Sequence, residues 1–247
     1  MSLKRLQEHR RLWLSKPVLA RVYAPWFDAL LAAAPHRARV LEVGAGPGFL
    51  QEAARDRRSD LRWIASDLHP APWNDLAADA GSLPVAAASV DAVLGLDVLH
   101  HLPDPAAFFR ESARVLRPAG RVGLVEPWIT PLSWVVYRFF HQEDCRLSVD
   151  PWRPFPSPAK DSFDGDAAVP WKIVRTTPPL AWRELGLLPP RAARLNAFGY
   201  LLSLGFRPAS LLPGPLAGPV AAMDRAARAL APLTALRAIL VWEKAGP

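Results

Sequence analysis

Residues Arg39 to Leu50 read RVLEVGAGPGFL. A short apolar run carries one acid, Glu42, then meets Gly44, Gly46 and Gly48, and turns apolar again at Phe49. Arg39 to Val43 has the composition of a buried strand, and Phe49 to Arg57 has that of a helix. Glycines between them let the backbone approach a ligand, because no Cβ stands in the way. The stretch predicts a strand, a ligand-binding loop and a helix.

Downstream the same alternation continues. Arg62 to Ser66 predicts a second strand ending at Asp67, Leu76 to Asp79 a third and Asp91 to Leu96 a fourth. Asp104 to Leu116 predicts a helix with Phe108, Ala113, Val115 and Leu116 on its apolar side, stopped by RPAG. Arg121 to Glu126 predicts a fifth strand, Ala192 to Phe198 a sixth and Ala238 to Glu243 a last one. Strands and helices recurring every ~20 to 30 residues argue for a parallel α/β sheet covered on both faces.

Upstream, residues 3–34 predict helices. Ser15 is placed to cap the second, with Pro17 in its first turn. Leu14, Val18, Val22 and Trp26 recur at four-residue spacing beside Leu19, Tyr23 and Phe27, and Pro25 predicts a break. The stripe suits docking onto the core; a lid over a pocket is the other reading, so residues 1–36 are taken as an N-terminal helical lid on a single domain spanning 1–247. Residues 127–178 and 199–235 are irregular and predict insertions on the substrate side. The first begins with WITPLSWVVYRFFH, apolar enough for a rim helix; Leu180 to Leu187 follows as a further helix, and the second insertion holds one near Ala221 to Leu230.

The 247 residues suit one domain with embellishments. Cys145 is the single cysteine, which excludes an internal disulfide and a multi-cysteine zinc site. Net charge is +7, with Lys4, Arg5, Arg10, Arg11, Lys16 and Arg21 crowding the start. A GC-rich genome that spells its basic residues as arginine, or an anionic partner such as a membrane surface or nucleic acid, accounts for it. No apolar core follows the basic start and no run reaches ~18 apolar residues, so the expectation is a cytoplasmic protein, with peripheral contact at the inner face of an anionic membrane as its variant.

Asp67 follows the glycines by ~20 residues, where an acid accepts from both hydroxyls of a ribose. A dinucleotide loop needs G-x-G-x-x-G, and Phe49 stands where its last glycine belongs. Glu42 would repel a pyrophosphate but attract an ammonium. The ligand reads as adenosine-bearing and cationic or zwitterionic.

EVGAGPG with Asp67, then ADAGSLP, DAVLGLDVLHHL and LRPAGRVGLVEP, resembles the successive motifs of class I S-adenosylmethionine-dependent methyltransferases over about residues 38–127, in the subgroup that includes quinone-biosynthesis and small-molecule enzymes. The resemblance implies a Rossmann-like doubly wound seven-stranded sheet of order 3-2-1-4-5-7-6 with strand 7 antiparallel. It implies that S-adenosyl-L-methionine lies against Glu42, Gly44, Ala45, Gly46 and Gly48. Asp67 then takes the ribose, Leu68 packs on the adenine, Asp79 and Ala80 meet its edge, and Gly95 and Leu96 face the methionine end. For Glu42, bracing the loop stands beside direct contact.

A sulfonium already activates its methyl group, so the protein must mainly place a nucleophile in line and sometimes remove a proton. Candidate bases are His100 and His101 after the fourth strand and His141 in the insertion, with Glu143 and Asp144 beside it. A structural role for the HH pair is the competing reading. His141, Glu143 and Asp144 have no recognised ligand spacing, so no metal is expected. The expected acceptor is small or lipidic. The missing Asn/Asp-Pro-Pro-aromatic tetrapeptide, with LDVL in its place, argues against a nucleic-acid methyltransferase. A non-catalytic binder of S-adenosylmethionine is the remaining alternative.

Overall fold

The computed structural model describes residues 3–140, 143–155 and 164–246. In chain order its elements are α1 (Leu3–Ser15), α2 (Val18–Ala33), β1 (Arg39–Glu42), α3 (Phe49–Arg57), β2 (Arg62–Asp67), β3 (Leu76–Ala77), β4 (Val90–Leu96), α4 (Pro105–Val115) and β5 (Leu116–Pro127). They continue with α5 (Pro131–Phe139), α6 (Val169–Thr176), α7 (Pro179–Glu184), β6 (Arg191–Leu195), α8 (Phe198–Ser203), α9 (Ala217–Ala226), α10 (Ala231–Thr234) and β7 (Arg237–Glu243).

β1 lies at the centre because both its faces are apolar. Val40 and Leu41 are fully buried, in parallel register with Trp63 and Ile64 of β2 and with Ala92 and Val93 of β4. The sheet runs β3-β2-β1-β4-β5-β7-β6, with β7 antiparallel to both neighbours. This is the expected seven-stranded order. β3 is only two residues long, since its alanines offer little to bury, and β6 is an exposed edge strand ending at Leu195 rather than Phe198.

Four local expectations are corrected. Pro25 lies inside an unbroken α2. A mid-helix proline costs ~3 kcal/mol, but Leu19, Phe27 and Leu30 on this helix are essentially fully buried, and each such side chain is worth ~1.5–3 kcal/mol. Ser15 does not cap α2; its hydroxyl donates to the Leu12 carbonyl at 3.2 Å and closes α1. Leu14 leaves the stripe and is 77% exposed. At RPAG, β5 begins immediately after α4: Leu116 pairs with Val90, the register shifts, and Ala119 adopts φ 61° before pairing resumes at Arg121. α4 itself starts where expected, with Asp104 accepting from Ala107 N at 2.9 Å.

The N-terminal charge is partly consumed inside the molecule. Lys16 is 7% exposed, and its ammonium donates to the carbonyls of Ser203, Gly205, Arg207 and Ala209. Burial lowers its pKa.

Candidate active site

The glycine loop leaves β1 at the carboxyl edge of the sheet, where open α/β sheets bind ligands. Gly44, Gly46 and Gly48 adopt φ of 62°, 50° and 80°, a region that side chains disfavour. A Cβ on Gly44 would stand 2.5 Å from Val98 Cγ2, so the loop after β4 presses on the glycine loop. Gly46 N donates to Asp67 Oδ2 at 2.8 Å, and His69 N donates to Asp67 Oδ1 at 2.8 Å. A carboxylate has about four acceptor sites, so Asp67 keeps capacity for two more donors. Leu68 beside it is 55% exposed. Ala45 is buried. Asp79 accepts from Gly81 N at 2.8 Å in a local turn, with Ala80 half-buried next to it. A buried Gly95 and half-buried Leu96 end β4.

Glu42 is 3% exposed and accepts from Trp63 Nε1 at 2.8 Å. Burial pushes its carboxyl up to about 8, against the pull of the indole N–H. Its main-chain oxygen accepts from Ser66 Oγ. These two bonds tie the end of β1 to β2 beneath the glycine loop.

α1 covers the outer side of this loop. Arg10 donates to the Pro47 carbonyl, pairs with Glu52 at 2.5 Å, and lies 4.7 Å over the Trp73 ring. Trp73 Nε1 donates to Gly46 O at 2.7 Å, and Trp13 stacks on Phe49 at 4.2 Å.

The loop after β4 is organised by a residue that the sequence reading leaves without a role, Glu126. This fully buried carboxylate accepts from Val98 N at 2.8 Å and Leu99 N at 2.7 Å through Oε1. Its Oε2 meets His100 Nδ1 at 2.6 Å, while His100 Nε2 faces Glu143 Oε2 at 3.2 Å. Burial alone would lower the His100 pKa, but the two carboxylates outweigh it and raise it to about 10. With a carboxylate against each ring nitrogen and no other cation between them, His100 favours the protonated imidazolium, which suits holding the loop more than accepting a proton. His101 is more open. Its Nδ1 lies 3.3 Å from the Asp164 carbonyl, and its Nε2 lies 3.8 Å from Glu143 Oε1. His141 lies outside the described residues.

The insertion closes over both imidazoles. Asp166 N donates to the His100 carbonyl at 3.1 Å, and a Cβ on Gly165 would come within 2.9 Å of both rings. Buried Asp166 holds Arg146 at 2.9 Å. Beside this loop Asp97 (φ 57°) pairs with buried Arg237, whose guanidinium lies 4.9 Å over Trp26 and 5.4 Å over Tyr200. Burial lowers the Arg237 pKa to about 10, so it remains a cation at neutral pH. Glu126 was discoverable in GLVEP as an acid ending a central strand at the ligand edge; Arg237 and Gly165 carried no such signal.

Residues 41–124 match the family described as a methyltransferase domain. The malonyl-[acyl-carrier protein] O-methyltransferase of Hahella chejuensis is 38% identical over 95 residues, covering 34% of each chain. The 27-O-demethylrifamycin SV methyltransferase of Amycolatopsis mediterranei is 48% identical over 122 residues, covering 42% of this chain and 44% of the relative. The chain thus spans less than half the length of these curated relatives. A solved S-adenosylmethionine-dependent methyltransferase from Archaeoglobus fulgidus shares the fold over 98% of this chain and 100% of its own, with TM-score 0.51 and 16% identity. Residues 41–124 are thus similar to a methyltransferase domain, and the whole chain shares the seven-stranded strand order and fold of a solved S-adenosylmethionine-dependent methyltransferase.

Proposed function

We propose that this protein transfers the methyl group of S-adenosylmethionine to a small, largely apolar acceptor, with a hydroxyl oxygen as the favoured atom. One observation carries the reading: the glycine loop, with spare acceptor capacity on Asp67, abuts the histidine loop through Val98. The cofactor supplies a methyl group already activated on a sulfonium. In this reading Asp67 takes the ribose hydroxyls, and exposed Leu68 offers an apolar face to the adenine, with Asp79 and Ala80 at its edge. The amides of Gly44, Ala45, Gly46 and Gly48 line the methionine part beside Gly95 and Leu96. α1 serves as the lid. His100 is a positioning residue that ties the β4 loop to Glu126. The O-methyltransferase and rifamycin-methyltransferase names of the relatives support the choice of atom and the apolar class.

Calorimetric titration with S-adenosylhomocysteine, followed by assay of its release with hydroxylated apolar acceptors, tests this. Folded protein that binds no S-adenosylhomocysteine would sink it.

A lipid-bound acceptor is a second reading, favoured by one face. α5 exposes Trp134, Val135 and Phe139, followed by Phe140, and the neighbouring α10 segment exposes Leu230 and Leu233. Arg138 and Arg228 are exposed on the same segments, and Arg225 is exposed at the end of α9 just before the second. Apolar side chains among arginines suit an anionic bilayer surface; no helix among the described residues is long and apolar enough to cross one. Flotation with phosphatidylglycerol vesicles decides. Binding should be lost in Phe139→Asp/Leu233→Asp, and a wild type that stays in the soluble fraction ends the idea.

A further inference from the structure

We propose that His100, His101 and Glu143 bind a divalent transition-metal ion of the zinc class. Chain spacing gives no hint of it, because Glu143 comes from the insertion and the imidazoles from the loop after β4. The fold brings one donor atom from each within 4.8 Å of the others.

The two rings are oriented alike. His100 Nδ1 lies 2.6 Å from the Glu126 carboxylate, and His101 Nδ1 lies 3.3 Å from the Asp164 carbonyl. A carbonyl oxygen can only accept, so the hydrogen sits on Nδ1 of His101, and the same tautomer serves His100. Both Nε2 atoms are left facing Glu143. Metal-bound histidines are held in this way, with the far N–H given to a carboxylate or a backbone carbonyl.

The distances suit coordination. Ligand bonds of about 2.0–2.2 Å in a tetrahedron place neighbouring donors roughly 3.3–3.5 Å apart. His100 Nε2 is 3.2 Å from Glu143 Oε2, and His101 Nε2 is 3.8 Å from Glu143 Oε1. The ring centroids are 4.1 Å apart. Two carboxylates, Glu126 and Glu143, converge on this cluster, so a dication there is balanced in charge. Two imidazoles and one carboxylate favour zinc, cobalt or nickel over magnesium, which requires an octahedron of oxygens. Three protein ligands leave a fourth position open, the arrangement of a reactive rather than a structural site.

The binding stands apart from methyl transfer; only its use rests on that reading. The open position would take the acceptor oxygen and release its proton to solvent, leaving a bound nucleophile.

The test uses the full chain, stripped with chelator and titrated with Co²⁺ and Zn²⁺. One equivalent of cobalt with tetrahedral ligand-field bands is expected, together with a zinc-dependent rise in melting temperature. His101→Ala and Glu143→Gln should each weaken binding at least tenfold. Glu126→Gln, which frees the His100 ring, should weaken it by ~10- to 100-fold. Asp144→Asn, whose side chain is 68% exposed, should bind like the wild type. The reading is overturned if wild type takes up less than a tenth of an equivalent, or if His101→Ala and Glu143→Gln both bind as wild type does. Should those variants fail to fold, the wild-type cobalt spectrum decides: octahedral, oxygen-only bands count against the site. Titration with S-adenosylhomocysteine on the same samples separates failure of the metal site from failure of the methyltransferase reading.

Discussion

Glu42→Gln isolates the cost of placing a carboxyl beneath the glycine loop. In the folded protein this group keeps its proton up to about pH 8, whereas unfolded it ionises near 4.5. Between those limits the folded state holds more protons than the unfolded one, so its contribution falls as pH rises. At about 1.4 kcal/mol per pH unit, the loss reaches about 3 kcal/mol at pH 7 and about 5 kcal/mol by pH 9. Gln keeps an oxygen to accept from Trp63 but cannot ionise. It also buries an amide that needs a partner, which costs ~1–3 kcal/mol at every pH. The variant should therefore be equal to or weaker than wild type at pH 5 and stronger at pH 9. Urea unfolding of both proteins without cofactor, at pH 5, 7 and 9, reads the difference directly. A difference that stays flat with pH would refute the reasoning, because Glu42 would then ionise alike in both states.

Asp67→Asn should weaken S-adenosylhomocysteine binding by roughly 10- to 100-fold, as charge-assisted bonds are worth ~1.5–3 kcal/mol; calorimetry showing unchanged affinity contradicts the ribose assignment. Pro25→Ala restores a donor to the Arg21 carbonyl and should raise stability by ~1–2 kcal/mol, and a lower urea midpoint would show that α2 needs the proline. Glu126→Gln leaves the buried His100 with a neutral partner and should cost ~3–5 kcal/mol in chain without added metal; a loss under 1 kcal/mol would mean the pair is not buried as a unit. Gly44→Ala meets both a left-handed backbone and Val98 and should lose measurable cofactor binding, so retained binding would count against the tight contact.

The sheet was legible because its central strands bury both faces and so read as unbroken apolar runs: VLEV, AVLGL and AILVW have few other places to go. β3 and β6 were harder for the same reason, since LA is too short and RAARL too exposed to carry a burial signal. The glycine loop and Asp67 stood out because three closely spaced glycines and an acid at the end of the next strand lie within one strand–loop–helix–strand unit. The Glu126–His100–Glu143 line could not, because its members come from three segments and meet only once the insertion folds back. Pro25 shows the converse: a strong local rule, overridden by a face that is buried almost everywhere.

Lys16 has a consequence for the order of folding. The carbonyls it grips lie 187 to 193 residues further along the 247-residue chain. Contacts of that span form late, since their closure entropy must be met before they contribute. On the ribosome the first helices can meet the glycine loop early through Arg10 and Trp13, but they gain the Lys16 anchor only when the stretch around Ser203 follows. The segment over the glycine loop is thus latched from the far end of the molecule, and a chain truncated before that stretch would build most of its sheet yet leave the first helices without this anchor.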